Sequence, residues 1–144
     1  MLVESILKTK GSDVATIAPE ETVQAVAAVL ARRRIGALVV IDARGEIAGM
    51  LSERDIVAAV AAHGGRAMER RVEEFMTRKV KACARDDTIS HVMAIMTAHR
   101  VRHLPVLAQG RLVGIVSIGD VVKSRIEETE HEAQSLREYV LAGH

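Results

Sequence analysis

The chain is 144 residues long and 49% apolar, and its 20 basic and 19 acidic side chains leave a net charge of +1. That composition excludes intrinsic disorder, and the balanced charge leaves no basic excess for gripping a nucleic-acid backbone. One Phe, one Tyr and no Trp cannot build a base-stacking platform, and a single Cys excludes a disulfide framework.

The elements follow in chain order. Val14 to Ile17 reads as a short β-branched strand. Thr22 then caps a helix that carries Val23, Val26, Ala27 and Leu30 at helical spacing. Two strands, Ala37 to Ile41 and Ile47 to Leu51, flank the tight turn Ala43-Arg44-Gly45, and a second helix opens at Ser52. A net-basic linker, beginning near Gly64-Gly65, leads to a second strand-like stretch at Val80 to Cys83. Thr88 caps a helix with Ile89, Val92, Met93 and Met96 on one face. Strands at Leu104 to Leu107 and Leu112 to Val116 enclose Gln109-Gly110, and another helix opens at Ser117. That last helix is predicted from Ile118 to about Leu141, with Val122, Ile126, Thr129, Ala133, Leu136 and Val140 forming a helix-packing seam. No apolar run approaches the ~20 residues of a bilayer span, and no basic-then-apolar leader opens the chain. A cytoplasmic protein with no membrane partner is expected.

The second half repeats the first. A shift of 66 places Val14 on Val80, Thr22 on Thr88, Arg34 on Arg100 and Leu38 on Leu104. Beyond one gap at the turn, a shift of 65 places Gly49 on Gly114, Ser52 on Ser117 and Asp55 on Asp120. The fold class is therefore α/β (α+β): two β-α-β-β-α repeats packed pseudo-symmetrically, plus a long C-terminal helix. The expected boundaries are 1–62 for the first repeat with its N-terminal segment, 63–79 for the linker and entry to the second repeat, 80–126 for the second repeat and 127–144 for the helical extension.

The most informative motif occurs in both copies. Gly49-Met50-Leu51-Ser52-Glu53-Arg54-Asp55 matches Gly114-Ile115-Val116-Ser117-Ile118-Gly119-Asp120. Each is a strand end, a Ser and, three residues on, an Asp in the first turn of a helix. Ser-x-x-Asp is a capping box in one reading. In the other, the free N–H groups and positive dipole of the helix start attract phosphate while the Asp accepts a ribose diol. The two readings are compatible.

The doubled unit, the strand-Gly-x-x-Ser-x-x-Asp-helix signature and the segment Arg100-Val101-Arg102-His103-Leu104-Pro105-Val106 resemble the cystathionine-β-synthase (CBS) domain. Two in tandem resemble a Bateman module, here similar to the small stand-alone bacterial type. The resemblance implies adenosine ligands (AMP, ADP, ATP, NAD(H) or S-adenosylmethionine) in a cleft between the repeats. It implies ribose contacts from Asp55 and Asp120, and ribose or phosphate contacts from Ser52 and Ser117. The backbone of Ile35, Gly36 and Ala37, and of His103, Leu104 and Pro105, would frame adenine. Thr16, Val80 and Cys83 would line the pocket. Arg54 is a candidate phosphate clamp, where the matched Gly119 offers only backbone. Glu53 and Ile118 complete the helix starts, and Arg102-His103 makes the second site more basic than Gly36-Ala37 makes the first.

The expected function is that of a regulatory nucleotide-binding module: a homodimer that signals adenine-nucleotide state to a protein effector by conformational change. Alternatives are a structural homodimer whose Ser-x-x-Asp motifs are only caps, and an S-adenosylmethionine sensor. No nucleophile, base and orienting acid stand at recognisable spacing, so neither catalytic residues nor an enzyme is expected. His99 and His103 lack a third ligand, and no metal is assigned.

Overall fold

Apolar spacing sets each helix and the face it buries. In the computed structural model, which describes residues 1–143, α1 spans Val3–Lys10 and buries Val3, Ile6 and Leu7. β1 is Thr16–Ile17. α2 (Val23–Arg33) buries Val23, Val26 and Leu30, and Thr22 caps it by accepting the Ala25 N–H at 3.2 Å. β2 (Ala37–Ile41), β3 (Ile47–Ser52) and α3 (Glu53–His63) follow. Two short 3₁₀ helices, Gly64–Glu69 and Val72–Glu74, precede α4 (Ile89–His99), whose cap Thr88 accepts the His91 N–H at 3.0 Å. β4 (His103–Ala108), β5 (Arg111–Ser117) and α5 (Ile118–Leu141) complete the chain. Among the described residues no helix is long and apolar enough to cross a membrane.

The chain divides into two units. One comprises Met1–Ser12, Ala82–Ala108 and Gly114–His144, the other Asp13–Lys81 and Gln109–Val113. In the second unit β2 is the central strand, parallel to β1 and antiparallel to β3. Leu38, Val39 and Val40 are all fully buried, so both faces of the strand are covered and its sequence is continuously apolar rather than alternating. Leu38, Val40, Val26, Leu30 and Leu51 form one core with Val72 and Met76. At about 1.5–3 kcal/mol per buried aliphatic side chain, this cluster is the main favourable contribution to that unit.

The same backbone bonds build both units. In the first, the Val3 N–H donates to the Asp87 carbonyl and the Glu4 N–H to the Arg85 carbonyl. In the second, the Val72 N–H donates to the Glu21 carbonyl and the Glu73 N–H to the Pro19 carbonyl. The bridges Leu2 to Thr88 and Thr22 to Arg71 repeat the correspondence. Each repeat therefore packs with the segment that precedes the other repeat.

Two expectations change here. The segment read as a linker is folded: Ala67 and Val72 are fully buried, and Thr77 and Met50 exchange N–H to carbonyl bonds at 2.8 and 3.0 Å. The strand expected at Val80 to Cys83 reduces to a single bridge between Cys83 and Val106. Pro105 supplies the reason. The Val39 N–H donates to the Ala15 carbonyl in the first repeat, but the matched residue in the second is Pro105, which has no N–H to give. The three-stranded sheet of one repeat becomes the two-stranded β4-β5 sheet of the other.

The paired glycines of the motif mark close approaches. A Cβ on Gly49 would lie 2.7 Å from the Thr77 carbonyl oxygen, and one on Gly114 would lie 2.6 Å from Leu7 Cδ2. In each repeat the preceding segment of the other presses on the strand at the point where only hydrogen fits.

Candidate functional site

Each repeat assembles its motif by strand pairing followed by a capped helix. In the first, Ala37 pairs with Ser52 across β2 and β3, and the Glu53 N–H donates to the Gly36 carbonyl at 2.9 Å. Gly36 and Ala37 are thereby held beside Ser52, Glu53, Arg54 and Asp55. In the second, the Ile118 N–H donates to the Arg102 carbonyl at 2.8 Å. Arg102 and His103 are held beside Ser117, Ile118, Gly119 and Asp120 by the same construction.

Both motifs form capping boxes. The Ser52 N–H donates to Asp55 Oδ2 at 2.9 Å, and the Asp55 N–H donates to Ser52 Oγ at 3.3 Å. The Ser117 N–H donates to Asp120 Oδ2 at 2.8 Å, and the Asp120 N–H donates to Ser117 Oγ at 3.2 Å. Each cap turns one carboxylate oxygen, Oδ2, toward its own backbone. A carboxylate has about four lone-pair positions, so acceptor capacity remains for a ligand.

The cations differ between the two sites. Arg54 is exposed in the first turn of α3 and, among the described residues, neither Arg54 nor Asp55 has an ion-pair partner. Asp120 has one: Lys10, the last residue of α1, donates its Nζ to Asp120 Oδ2 at 2.7 Å. Burial alone would raise the Asp120 pKa. The hydrogen bonds from Lys10 and Ser117 outweigh it and hold the carboxyl below its ordinary value. A small open groove lies here between α1 and α5, lined by Ser5, Thr9, Lys10, Asp120, Lys123 and Glu127.

The remaining expected residues are placed as follows. Thr16 is exposed on β1, opposite Val39. Ile35 is half-buried against the core of its unit. Leu104 and Pro105 are buried, leaving backbone as what they can offer a ligand. Val80 groups with the first repeat's unit, whereas Cys83 groups with the unit that holds Asp120. The Cys83 thiol is buried, and desolvation, reinforced by Asp87, pushes its pKa up to about 12. It stays protonated and is a poor nucleophile. Among the described residues no group of three or more His, Cys, Asp or Glu side chains could hold a metal ion.

Lys10 and Thr9 were not anticipated, because the repeat register starts at Val14. A signal exists: Val3-Glu4 and Lys10 recur as Val72-Glu73 and Lys79 at a shift of 69. The three-residue change in register hides it from a search at 66.

Two matched repeats, β-α-β-β-α in the first and α-β-β-α behind a single bridge in the second, each end in a capped Ser-x-x-Asp helix start and define a paired-repeat module. A family model of the CBS domain matches residues 3–62 and again 72–127, and the chain belongs to that family as a tandem pair. It is similar to a CBS-domain containing protein from Agrobacterium tumefaciens, 44% identical over 86% of this chain and 92% of that one, with a TM-score of 0.84. It is also similar to a signal-transduction protein with CBS domains from Burkholderia ambifaria, described there as putative: 41% identical, 88% and 95% covered, TM-score 0.84. The CBS domain pair of protein MJ0100, solved with 5-methylthioadenosine and S-adenosyl-L-methionine, is 27% identical, with 90% and 98% covered and a TM-score of 0.77.

Proposed function

We propose that this chain is a regulatory module that binds adenosine compounds at its two Ser-x-x-Asp helix starts and passes the occupancy to a protein effector. The observation that carries the reading is the doubled construction of the site. Each copy joins a helix N-terminus, a carboxylate with spare acceptor capacity and an adjacent backbone segment, at Gly36 or at Arg102. Donors for phosphate and an acceptor for a diol stand within one helical turn. The adenosine ligands in the related MJ0100 pair support the same class. AMP, ATP and NAD(H) are the proposed ligands. S-adenosylmethionine is the second reading, favoured by that same relative.

The module works by binding without turnover. A ligand shifts its conformational equilibrium only by its difference in affinity between two arrangements. The proposed assembly is a homodimer, supported by the α5 seam, where Val122, Ile126, Leu136 and Val140 are 46%, 54%, 64% and 62% exposed.

Titration calorimetry with AMP, ATP, NAD(H) and S-adenosylmethionine tests the reading. Binding of at least one is expected, with Asp55→Ala and Asp120→Ala each removing one site. A pure capping role predicts instead a stability loss of about 1 kcal/mol per variant and no ligand for the folded wild type.

A further inference from the structure

The two sites share a motif but not a cation: one cation lies within the motif and the other comes from outside it. At Asp55 the nearest cationic residue in sequence is Arg54, exposed and without an ion-pair partner among the described residues. At Asp120 the matched position is Gly119, and the positive charge comes from Lys10 of α1. Lys10 already occupies Oδ2, one of the two carboxylate oxygens that a ribose diol would use. The Lys10 and Asp120 side chains are 34% and 23% exposed, so water can solvate either one when the pair opens. They share a groove between α1 and α5. Lys123 adds a second cation to its wall, and Glu127 an anion.

We propose that Lys10 is a specificity-determining residue, which makes the Asp120 site select phosphorylated nucleosides over uncharged or cationic ones. A diol that donates to both oxygens of Asp120 competes with Lys10 for Oδ2 and leaves the ammonium to water. A ligand that also carries a phosphate gives Lys10 a new anion at the same step. The exchange then replaces one charge-assisted hydrogen bond with another instead of losing it. A cationic sulfonium ligand meets Lys10 and Lys123 as like charges. The matched Lys79 has no ion-pair partner among the described residues, so the Asp55 site carries no equivalent competitor. This inference rests on the adenosine-binding reading above and deepens it.

The test compares AMP with adenosine in the Asp55→Ala background, which isolates one site. Calorimetry is run on that protein and on its Lys10→Met and Lys10→Arg derivatives, with circular dichroism to verify folding. A preference for AMP of about tenfold or more is expected. It should collapse in Lys10→Met with adenosine affinity undiminished, and persist in Lys10→Arg. An unchanged AMP-to-adenosine ratio in Lys10→Met overturns the inference while leaving nucleotide binding intact. So does an equal loss of both ligands. Absence of binding to the unmodified wild type overturns the nucleotide reading itself, and this inference with it.

Discussion

Asp120 carries two opposing influences whose balance has a measurable sign. Desolvation favours its neutral form, yet the Lys10 ammonium and the Ser117 hydrogen bonds bring its pKa below the ordinary value. The folded state therefore binds that proton more weakly than the unfolded state does. The resulting stabilisation is complete above the unfolded value of ~4 and is lost as the pH falls through the folded one. Lys10→Met should raise the Asp120 pKa in a carboxyl-carbon NMR titration, and an unmoved titration would show that the ion pair contributes nothing in solution. Cys83 is the opposite case, since burial keeps it a thiol up to about pH 12. It should react with a thiol reagent only on unfolding, at a rate that follows global stability.

At the scale of the element, the repeated helix ends store the same strain twice. Arg34 closes α2 and Arg100 closes α4, both in the left-handed region at φ 54° and 53°. A side chain there costs about 1–2 kcal/mol, against about 0.5–1 kcal/mol for the added chain freedom of glycine. Arg34→Gly and Arg100→Gly should each stabilise by about 0.5–1 kcal/mol in urea denaturation. The strand glycines should respond in the other direction. Gly114→Ala meets the movable end of Leu7 and should destabilise by about 1–3 kcal/mol. Gly49→Ala meets the Thr77 backbone carbonyl, which cannot rotate away, and should cost more than its counterpart. Equal costs would show that Thr77 yields as readily as a side chain.

For the whole molecule, the exposed seam of α5 is the feature on which the proposed homodimer rests. Its apolar positions face solvent, and α5 buries only Val121 and Ser124. If the proposed homodimer forms through this seam, replacing Ile126 and Leu136 with Glu should convert it to monomers in light scattering without lowering the helical signal. A mass unchanged by the substitutions would remove α5 from the assembly.

Much of this was legible in the sequence because it depends on local chemistry. The 66-residue register, the Thr22 and Thr88 caps, the α5 limits and both Ser-x-x-Asp helix starts follow from spacing and from the side chains that cap helices. Tertiary structure decided what no window of neighbours contains. It folded the segment after Gly64 onto the first repeat, because Val72 and Met76 find their apolar partners there. It reduced the strand before Ala84 to one bridge, because Pro105 lies opposite the place where a donor was needed. It brought Lys10 to Asp120 across 110 residues of chain, because α1 buries Val3, Ile6 and Leu7 with the second repeat. The sequence by itself determined two matching helix starts that already differ at Arg54 and Gly119. The crossed packing of the segments before them added Lys10 to one site, since charge depends on what the fold brings near as well as on what the motif contains.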